Sequence, residues 1–357
     1  MARTFKQGPL ERAIEAVVAA TGSHSVEARR VAQNLVLANL LGHDSHGIGM
    51  IPRYVDAVLE GGLAPNAHPK IMLDTGTLLT LDGCKGYGQS IGHEAMQLAI
   101  ERVKKHGSCI MALGNSHHLG RIGHWAEMAV AEGFVSIHFV NVISHARVAP
   151  YGGRDARFGT NPCCIAVPLP GEAPFVLDYA TSAVAQGKLR VAHNKGEKVP
   201  FGRLIDTDGN PTQDPRYAVI PPFGAMLAFG EHKGYGMAMA CELLGGALTG
   251  GGTWHYDESS QQRVLNGMLA IVLDVKKLGT AQAFEREARL FLDWLRKARP
   301  APGFDRVRLA GEPEREMRAA RGRDGVPVDD TTWEEIQRAA EKVKLPRSRV
   351  ESLALER

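Results

Sequence analysis

A chain of 357 residues with 44% hydrophobic and 23% charged side chains can bury a sizeable core, which excludes a disordered protein. A formal net charge of +3 and an aromatic content of 6% supply neither the basic footprint nor the stacking surface of a nucleic-acid binder. The most apolar stretch, 237–248, is interrupted by Glu242 and Gly245-Gly246 and falls short of a bilayer span, so it reads as a buried helix and no membrane partner is expected.

Residues 1–6 carry charge, with no apolar run or small-residue cleavage site behind them, so a cytoplasmic chain is expected. Pro9 opens a helix with Leu10, Ile14, Val17 and Val18 on one face. Ser25 is read as the cap of a second helix, with Val31, Leu35, Ala38 and Leu41 inward and Gly42 ending it. A third is expected over 48–59, stopping at Gly61-Gly62. The period then changes. Short runs of β-formers predict strands at 77–81, 109–113, 135–140, 165–169, 175–177 and 269–273, with helices between them at 91–105, 125–132, 183–191 and 236–248. Helical patterns return at 281–298, 312–321 and 332–343. This order predicts an α/β fold, a sheet domain over 71–280 inserted into a helical domain made by 1–70 and 281–357. Five cysteines, with Cys163-Cys164 adjacent and no C-x-x-C pair, argue against a disulfide framework or zinc ribbon and are expected to be reduced packing residues.

Two glycine-rich runs carry the chemistry. In Gly114-Asn115-Ser116-His117-His118-Leu119-Gly120-Arg121-Ile122-Gly123-His124-Trp125, His118 falls on a strand-to-helix turn, where an imidazole can exchange a proton with a substrate oxygen. The second run, Gly42-His43-Asp44-Ser45-His46-Gly47-Ile48-Gly49-Met50-Ile51-Pro52-Arg53-Tyr54, ends the second helix and offers Ser45 as a hydroxyl to orient that oxygen, as does Thr160 further on. Gly86-Tyr87-Gly88-Gln89-Ser90-Ile91-Gly92 superficially matches a dinucleotide-binding turn. That fingerprint also needs an acidic residue after the next strand, which here ends in Leu113-Gly114-Asn115, so the run reads as a helix N-terminus with permissive glycines.

Further motifs follow in order: Pro150-Tyr151-Gly152-Gly153, Phe158-Gly159-Thr160-Asn161-Pro162, Asp178-Tyr179-Ala180-Thr181-Ser182, His232-Lys233-Gly234-Tyr235-Gly236 and Gly311-Glu312-Pro313-Glu314. Together with the two runs above they span nearly the whole chain, and it resembles the type-2 malate/L-lactate dehydrogenase family, nearest to its hydroxycarboxylate dehydrogenase B branch. The resemblance implies a non-Rossmann, mixed-sheet nicotinamide binder, a homodimer, NAD or NADP as cofactor, a small 2-oxo or 2-hydroxy acid as substrate, and no metal. It implies His118, Ser45 and His46 as catalytic, with Met50, Tyr54, Arg121 and Thr160 at the substrate. It further implies a cofactor surrounded by His46, Gly120, Arg121, Ile122, Ser144, Asp178, Tyr179, Ala180, Thr181, Ser182, His232, Lys233, Gly311, Glu312, Pro313 and Glu314.

The expected reaction is hydride transfer between a nicotinamide and a 2-hydroxy or 2-oxo acid. The alternatives are reduction of a cyclic imino acid, a metal-dependent hydrolase built on His43, His46, His117 and His118, and nucleotide binding without turnover. Adjacent histidines on an extended segment point to opposite sides, which weighs against the hydrolase. Many members of the family carry an arginine where this chain has Met50, so monocarboxylic acids with apolar side chains are expected. Their 1-carboxylate then needs another cation, Arg121 first and Arg53 as the alternative.

Overall fold

The computed structural model describes residues 2–255 and 263–356. It opens with β1 (Ala2–Phe5), α1 (Gln7–Ala20) and α2 (Ser25–Leu40), then two 3₁₀ turns at Asp44–His46 and Ile48–Met50 and α3 (Ile51–Leu59). The central part runs β2 (Lys70–Asp74), β3 (Leu78–Asp82), α4 (Gly88–His106), β4 (Ser108–His117), α5 (Gly123–Ala131), β5 (Phe134–Ile143), β6 (Cys163–Val167), β7 (Phe175–Tyr179) and α6 (Gln186–Lys195). Three two-residue strands, β8 (Leu204–Ile205), β9 (Pro211–Thr212) and β10 (Ala225–Met226), form a small sheet ahead of α7 (His232–Cys241) and a π-helical turn at Glu242–Ala247. The chain closes with β11 (Leu265–Asp274), α8 (Ala281–Arg296), α9 (Glu312–Asp324), β12 (Val326–Asp329), α10 (Asp330–Lys342) and α11 (Arg347–Leu355).

The main sheet has seven strands in the order β2-β3-β4-β11-β5-β6-β7. Only β3 and β4 pair parallel, joined by α4 as a crossover, and every other neighbour is antiparallel. A dinucleotide fold of the doubly wound kind needs successive parallel strands, so this mixed sheet is a different architecture. Its core packs α4 and α5 onto the strands through Ile91, Ala95, Met96, Trp125 and Ala129. The glycine run is used for packing here. An added Cβ at Gly88 would lie 2.1 Å from the His118 carbonyl, and at Gly92 it would lie 2.7 Å from the Trp125 ring. A second apolar cluster unites Phe5, Leu10, Ile14, Val31, Leu35 and Ile51 with Val326, Trp333, Ile336 and Val350, although these lie at opposite ends of the sequence.

Several elements differ from the sequence reading. β1 and β12 pair antiparallel from Ala2↔Asp329 to Phe5↔Val326, and strands of four residues carry too little alternation to be seen in advance. Ser25 is the first residue of α2; its cap position is His24, which makes no capping bond. The helix expected over 48–59 starts as a 3₁₀ turn, with the Ile48 N–H held by Asn39 Oδ1 at 2.8 Å. The helix expected at 183–191 begins at Gln186, since Ala183 N–H is still held by the Leu227 carbonyl at 2.8 Å. The apolar run 237–248 is only half inward: Ala238, Cys241, Gly245 and Gly246 are buried, whereas Met239, Leu243 and Leu248 face solvent. Small residues are what allow this helix to approach β5, for an added Cβ on Gly245 would stand 2.7 Å from the Phe139 carbonyl. α8 contributes nothing to the second cluster, and Leu292 is its one buried residue.

Candidate active site

β4 ends at His117, and the next residues turn sharply through Gly120, whose φ of +71° favours glycine. Asn266 on β11 holds this turn by accepting the Leu119 N–H at 2.8 Å. The two adjacent imidazoles part company. His117 is fully buried and accepts the Val264 N–H at its Nε2 (3.2 Å), whereas His118 lines a cavity. Behind His118, Tyr54 Oη lies 2.7 Å from Nδ1 and receives a hydrogen bond from Gln89 Nε2 at 2.8 Å. Beside it the His46 ring stacks at a centroid distance of 5.6 Å, with its own Nδ1 2.9 Å from Ser45 Oγ.

The cavity in front of His118 has a volume of about 620 Å³, the size of a small-molecule site. Of the residues singled out from the sequence, Ser45, His46, Met50, Thr160, Ser144, Gly120, Ile122 and Ala180 line it. Tyr54 does not line it, being placed behind the imidazole. Arg53 does: its guanidinium reaches Ser144 Oγ at 3.5 Å and has no carboxylate within ion-pair distance among the described residues. Burial lowers its affinity for its proton, and nearby Arg190 adds to that. A half-buried guanidinium without a carboxylate partner is suited to receive an anion.

The remaining expected residues are placed elsewhere. Arg121 is buried with its fork spent on Glu127 (2.6 and 2.9 Å) and its Nε 3.6 Å from Asp178, so it is absent from the cavity lining. Asp178 accepts the Gly123 N–H at 2.7 Å, at the start of α5. Thr181 Oγ1 donates to the carbonyls of Thr160 and Asn161 and thereby fixes the Thr160 loop, while Ser182 Oγ donates to the Val184 carbonyl. Tyr179 packs edge-on against Phe229. His232 and Lys233 are exposed at the start of α7. In the Gly311 to Glu314 turn, Glu312 binds Arg306 and Glu314 Oε1 meets His43 Nε2 at 3.3 Å. His43, His46, His117 and His118 therefore do not converge on one point. Two contributors escaped the sequence reading: Gln89, and Glu242, which binds Asn161 Nδ2 at 2.7 Å beside Thr160.

Burial makes the site's histidines poor bases. It lowers His46 to about 4, with His43 and Arg121 adding to the effect, and lowers His117 to about 3. His118 is likewise held well below its ordinary 6.5, by burial first and then by His46, His117 and Arg53. The imidazole of the substrate-free protein is thus held toward its neutral form at neutral pH, where an ordinary imidazole would be roughly a quarter protonated. Elsewhere His124 is lowered to about 4 and His138 to about 3, both mainly by burial. An unfolded chain holds these histidines at 6.5, so below that pH it binds more protons than the folded one, and stability falls as pH drops from 6.5 toward 4. The urea midpoint is expected to be lower at pH 5 than at pH 7; equal midpoints would mean that these imidazoles protonate without unfolding.

A family model for malate/L-lactate dehydrogenase matches residues 5–337. The chain belongs to that family. This dehydrogenase is 46% identical to hydroxycarboxylate dehydrogenase B of Escherichia coli (strain K12), over 96% of its own length and 95% of that protein. It is 44% identical to an L-lactate dehydrogenase of Cupriavidus necator, over 88% and 90% of the two chains. Among solved structures, the sulfolactate dehydrogenase of Methanocaldococcus jannaschii matches with a TM-score of 0.84 and 32% identity, covering 97% of this chain and 99% of that one. Membership in a dehydrogenase family makes the protein an oxidoreductase with a nicotinamide cofactor. The cavity fits such a group: Val140, Val142, Pro162 and Val264 form an apolar wall for a flat ring, with the hydroxyls of Ser144 and Thr160 at hand for polar groups. No helix among the described residues is long and apolar enough to cross a membrane.

Proposed function

We propose that this dehydrogenase interconverts 2-hydroxy and 2-oxo monocarboxylic acids with apolar side chains, with His118 as the proton-transfer residue and Arg53 as the clamp on the 1-carboxylate. The observation that carries this reading is one cavity holding both the His118 imidazole and a guanidinium without a carboxylate partner. Arg53 takes the clamp in place of Arg121, whose fork is spent on Glu127.

A bound nicotinamide supplies or accepts the hydride. The chain's own residues do the rest. Arg53 holds the substrate carboxylate, which orients the C2 oxygen toward His118 and Ser45. That carboxylate brings a negative charge into a buried space, so it raises the proton affinity of the imidazole. His118 then gives a proton to the C2 oxygen during reduction and takes one from the hydroxyl during oxidation. Thr160 and Ser45 offer hydroxyls that stabilise charge on that oxygen.

Met50 sets the preference. It lines the cavity and also packs against the helical cluster, so a second carboxylate beside it would lose its water against a thioether that carries no charge. A panel of 2-oxo acids and cyclic imines, assayed with NADH and with NADPH by loss of absorbance, tests the assignment. Phenylpyruvate or 2-oxobutanoate is expected to exceed oxaloacetate in kcat/KM, and Met50→Arg is expected to shift that ratio toward oxaloacetate by about 10–150-fold, the worth of one charged hydrogen bond. A wild-type preference for oxaloacetate, or turnover of cyclic imines alone, would contradict it.

A further inference from the structure

Two polar groups behind His118 form a closed series with it. Gln89 Nε2 donates to Tyr54 Oη at 2.8 Å, and Tyr54 Oη lies 2.7 Å from His118 Nδ1. All three are buried, Gln89 and Tyr54 almost completely. A phenol has one hydrogen to give and two lone pairs to receive. With Gln89 donating into one lone pair, the hydrogen of Tyr54 is left for Nδ1. Gln89 holds this pose at a disadvantage, because its Oε1 is buried without a protein partner, as are Asn34 Oδ1 and Ser90 Oγ close by. A buried amide oxygen left in this way calls for an explanation, and the bond its Nε2 makes to Tyr54 gives one.

We infer that Gln89 is a positioning residue acting through Tyr54: its hydrogen bond commits the phenol O–H to His118 Nδ1, so the resting imidazole carries its hydrogen on Nε2, the nitrogen free to face the substrate. The inference rests on the reading of His118 as the proton-transfer residue. In the resting state Nε2–H can meet the carbonyl oxygen of a 2-oxo acid, whereas oxidation first needs that hydrogen moved to Nδ1, with Tyr54 Oη accepting it, so that Nε2 can take the hydroxyl proton. Uptake of a second proton at Nδ1 is opposed, because Nδ1–H then takes the second lone pair of Tyr54 Oη while Gln89 keeps the first, and the phenol O–H, crowded between two donors, loses its acceptor. The other groups facing the imidazole are His46, stacked on it from the 3₁₀ turn, His117 before it in the chain, and Arg53 on α3. Tyr54 itself is flanked edge-on by Tyr87 and His117. No carboxylate is among these neighbours, so the Gln89 amide is the group whose removal isolates the effect.

The test is the pH dependence of kcat/KM for oxidation of the 2-hydroxy acid, whose acid limb reports protonation of His118 in the free enzyme. Gln89→Met removes the donor that fixes the Tyr54 O–H, so the phenol can turn and accept from Nδ1–H, and the acid limb is expected to move up by about 0.5–1 pH unit, the worth of one hydrogen bond. In a Tyr54→Phe background the same Gln89→Met change should move nothing. An unmoved limb in the single variant, a downward move, or an equal upward move without the phenol would each overturn the proposal; a downward move would mean that the amide accepts from Tyr54. Nitrogen-15 NMR of the unmodified protein, with the His118 signal assigned by its loss in His118→Asn, gives a second reading independent of whether the variants fold. The Nε2–H tautomer is expected, and the Nδ1–H tautomer at neutral pH would overturn the proposal. The tautomer is read whether or not His118 carries the proton step, whereas full turnover in His118→Asn would sink the functional reading alone.

Discussion

Replacing His118 with Asn is expected to lower turnover by roughly 10²–10⁴-fold, the range for losing a positioned acid or base, while cofactor affinity changes little. His117→Asn should do far less to turnover, because that imidazole faces Val264 N–H and not the cavity. It is a stability change, since His117 is fully buried and its Nε2 satisfies a backbone donor. Steady-state kinetics of the two variants, with thermal midpoints alongside, separate the roles. A His118→Asn enzyme within a few-fold of wild type would remove the imidazole from the proton step, and a catalytically dead but well-folded His117→Asn enzyme would assign the step to the wrong ring.

Arg53→Met is expected to raise KM for the 2-oxo acid by about 10–150-fold, since a charged hydrogen bond is worth roughly 1.5–3 kcal/mol. Because the clamp also orients the reacting oxygen, kcat should fall as well. Arg53→Lys should recover only part, because an ammonium cannot reproduce the two parallel bonds of a guanidinium. Arg121→Met gives the contrasting result. It leaves Glu127 and Asp178 without their shared cation, so it should destabilise the fold, by on the order of 3 kcal/mol, with KM little changed in the protein that remains folded. If Arg121→Met raised KM and Arg53→Met did not, the clamp would be Arg121 after all.

The two arginines show where a sequence stops being readable. Arg121 stands three residues from His118 and Arg53 stands 65 before it, so proximity along the chain favours the first. Side-chain direction is what the sequence hides: the Arg121 fork is turned to Glu127 and Arg53 lines the cavity, and direction depends on how the 118–122 turn meets α5 and β7. Gln89 was hidden for a related reason. At the start of a helix a glutamine looks like an ordinary helix former, and its tie to Tyr54 joins residues 35 positions apart. The runs containing Ser45, His46 and His118 were legible because glycines crowd around polar side chains there, an arrangement that packing alone rarely demands. The seven-stranded sheet was legible as short apolar runs alternating with helices, yet its order was not, since β11 inserts between β4 and β5 from far along the chain. β2 was missed because all five of its residues are exposed and carry no inward face to set a period of two.

The neutral imidazole of the substrate-free protein shapes both directions of the proposed reaction. Oxidation needs the neutral ring with its hydrogen on Nδ1, so that Nε2 can take the hydroxyl proton, and reduction needs the substrate carboxylate to raise the ring's proton affinity first. Hydride transfer itself is the claim on which all of this depends, and one isotope experiment tests it most directly. Reduction of 2-oxobutanoate or phenylpyruvate with nicotinamide cofactor deuterated at C4, followed by proton NMR of the product, should show deuterium at C2 of the 2-hydroxy acid from one face of the ring, with solvent supplying only the hydroxyl hydrogen. A product carrying solvent hydrogen at C2, or absence of any 2-hydroxy acid with either cofactor, would contradict it.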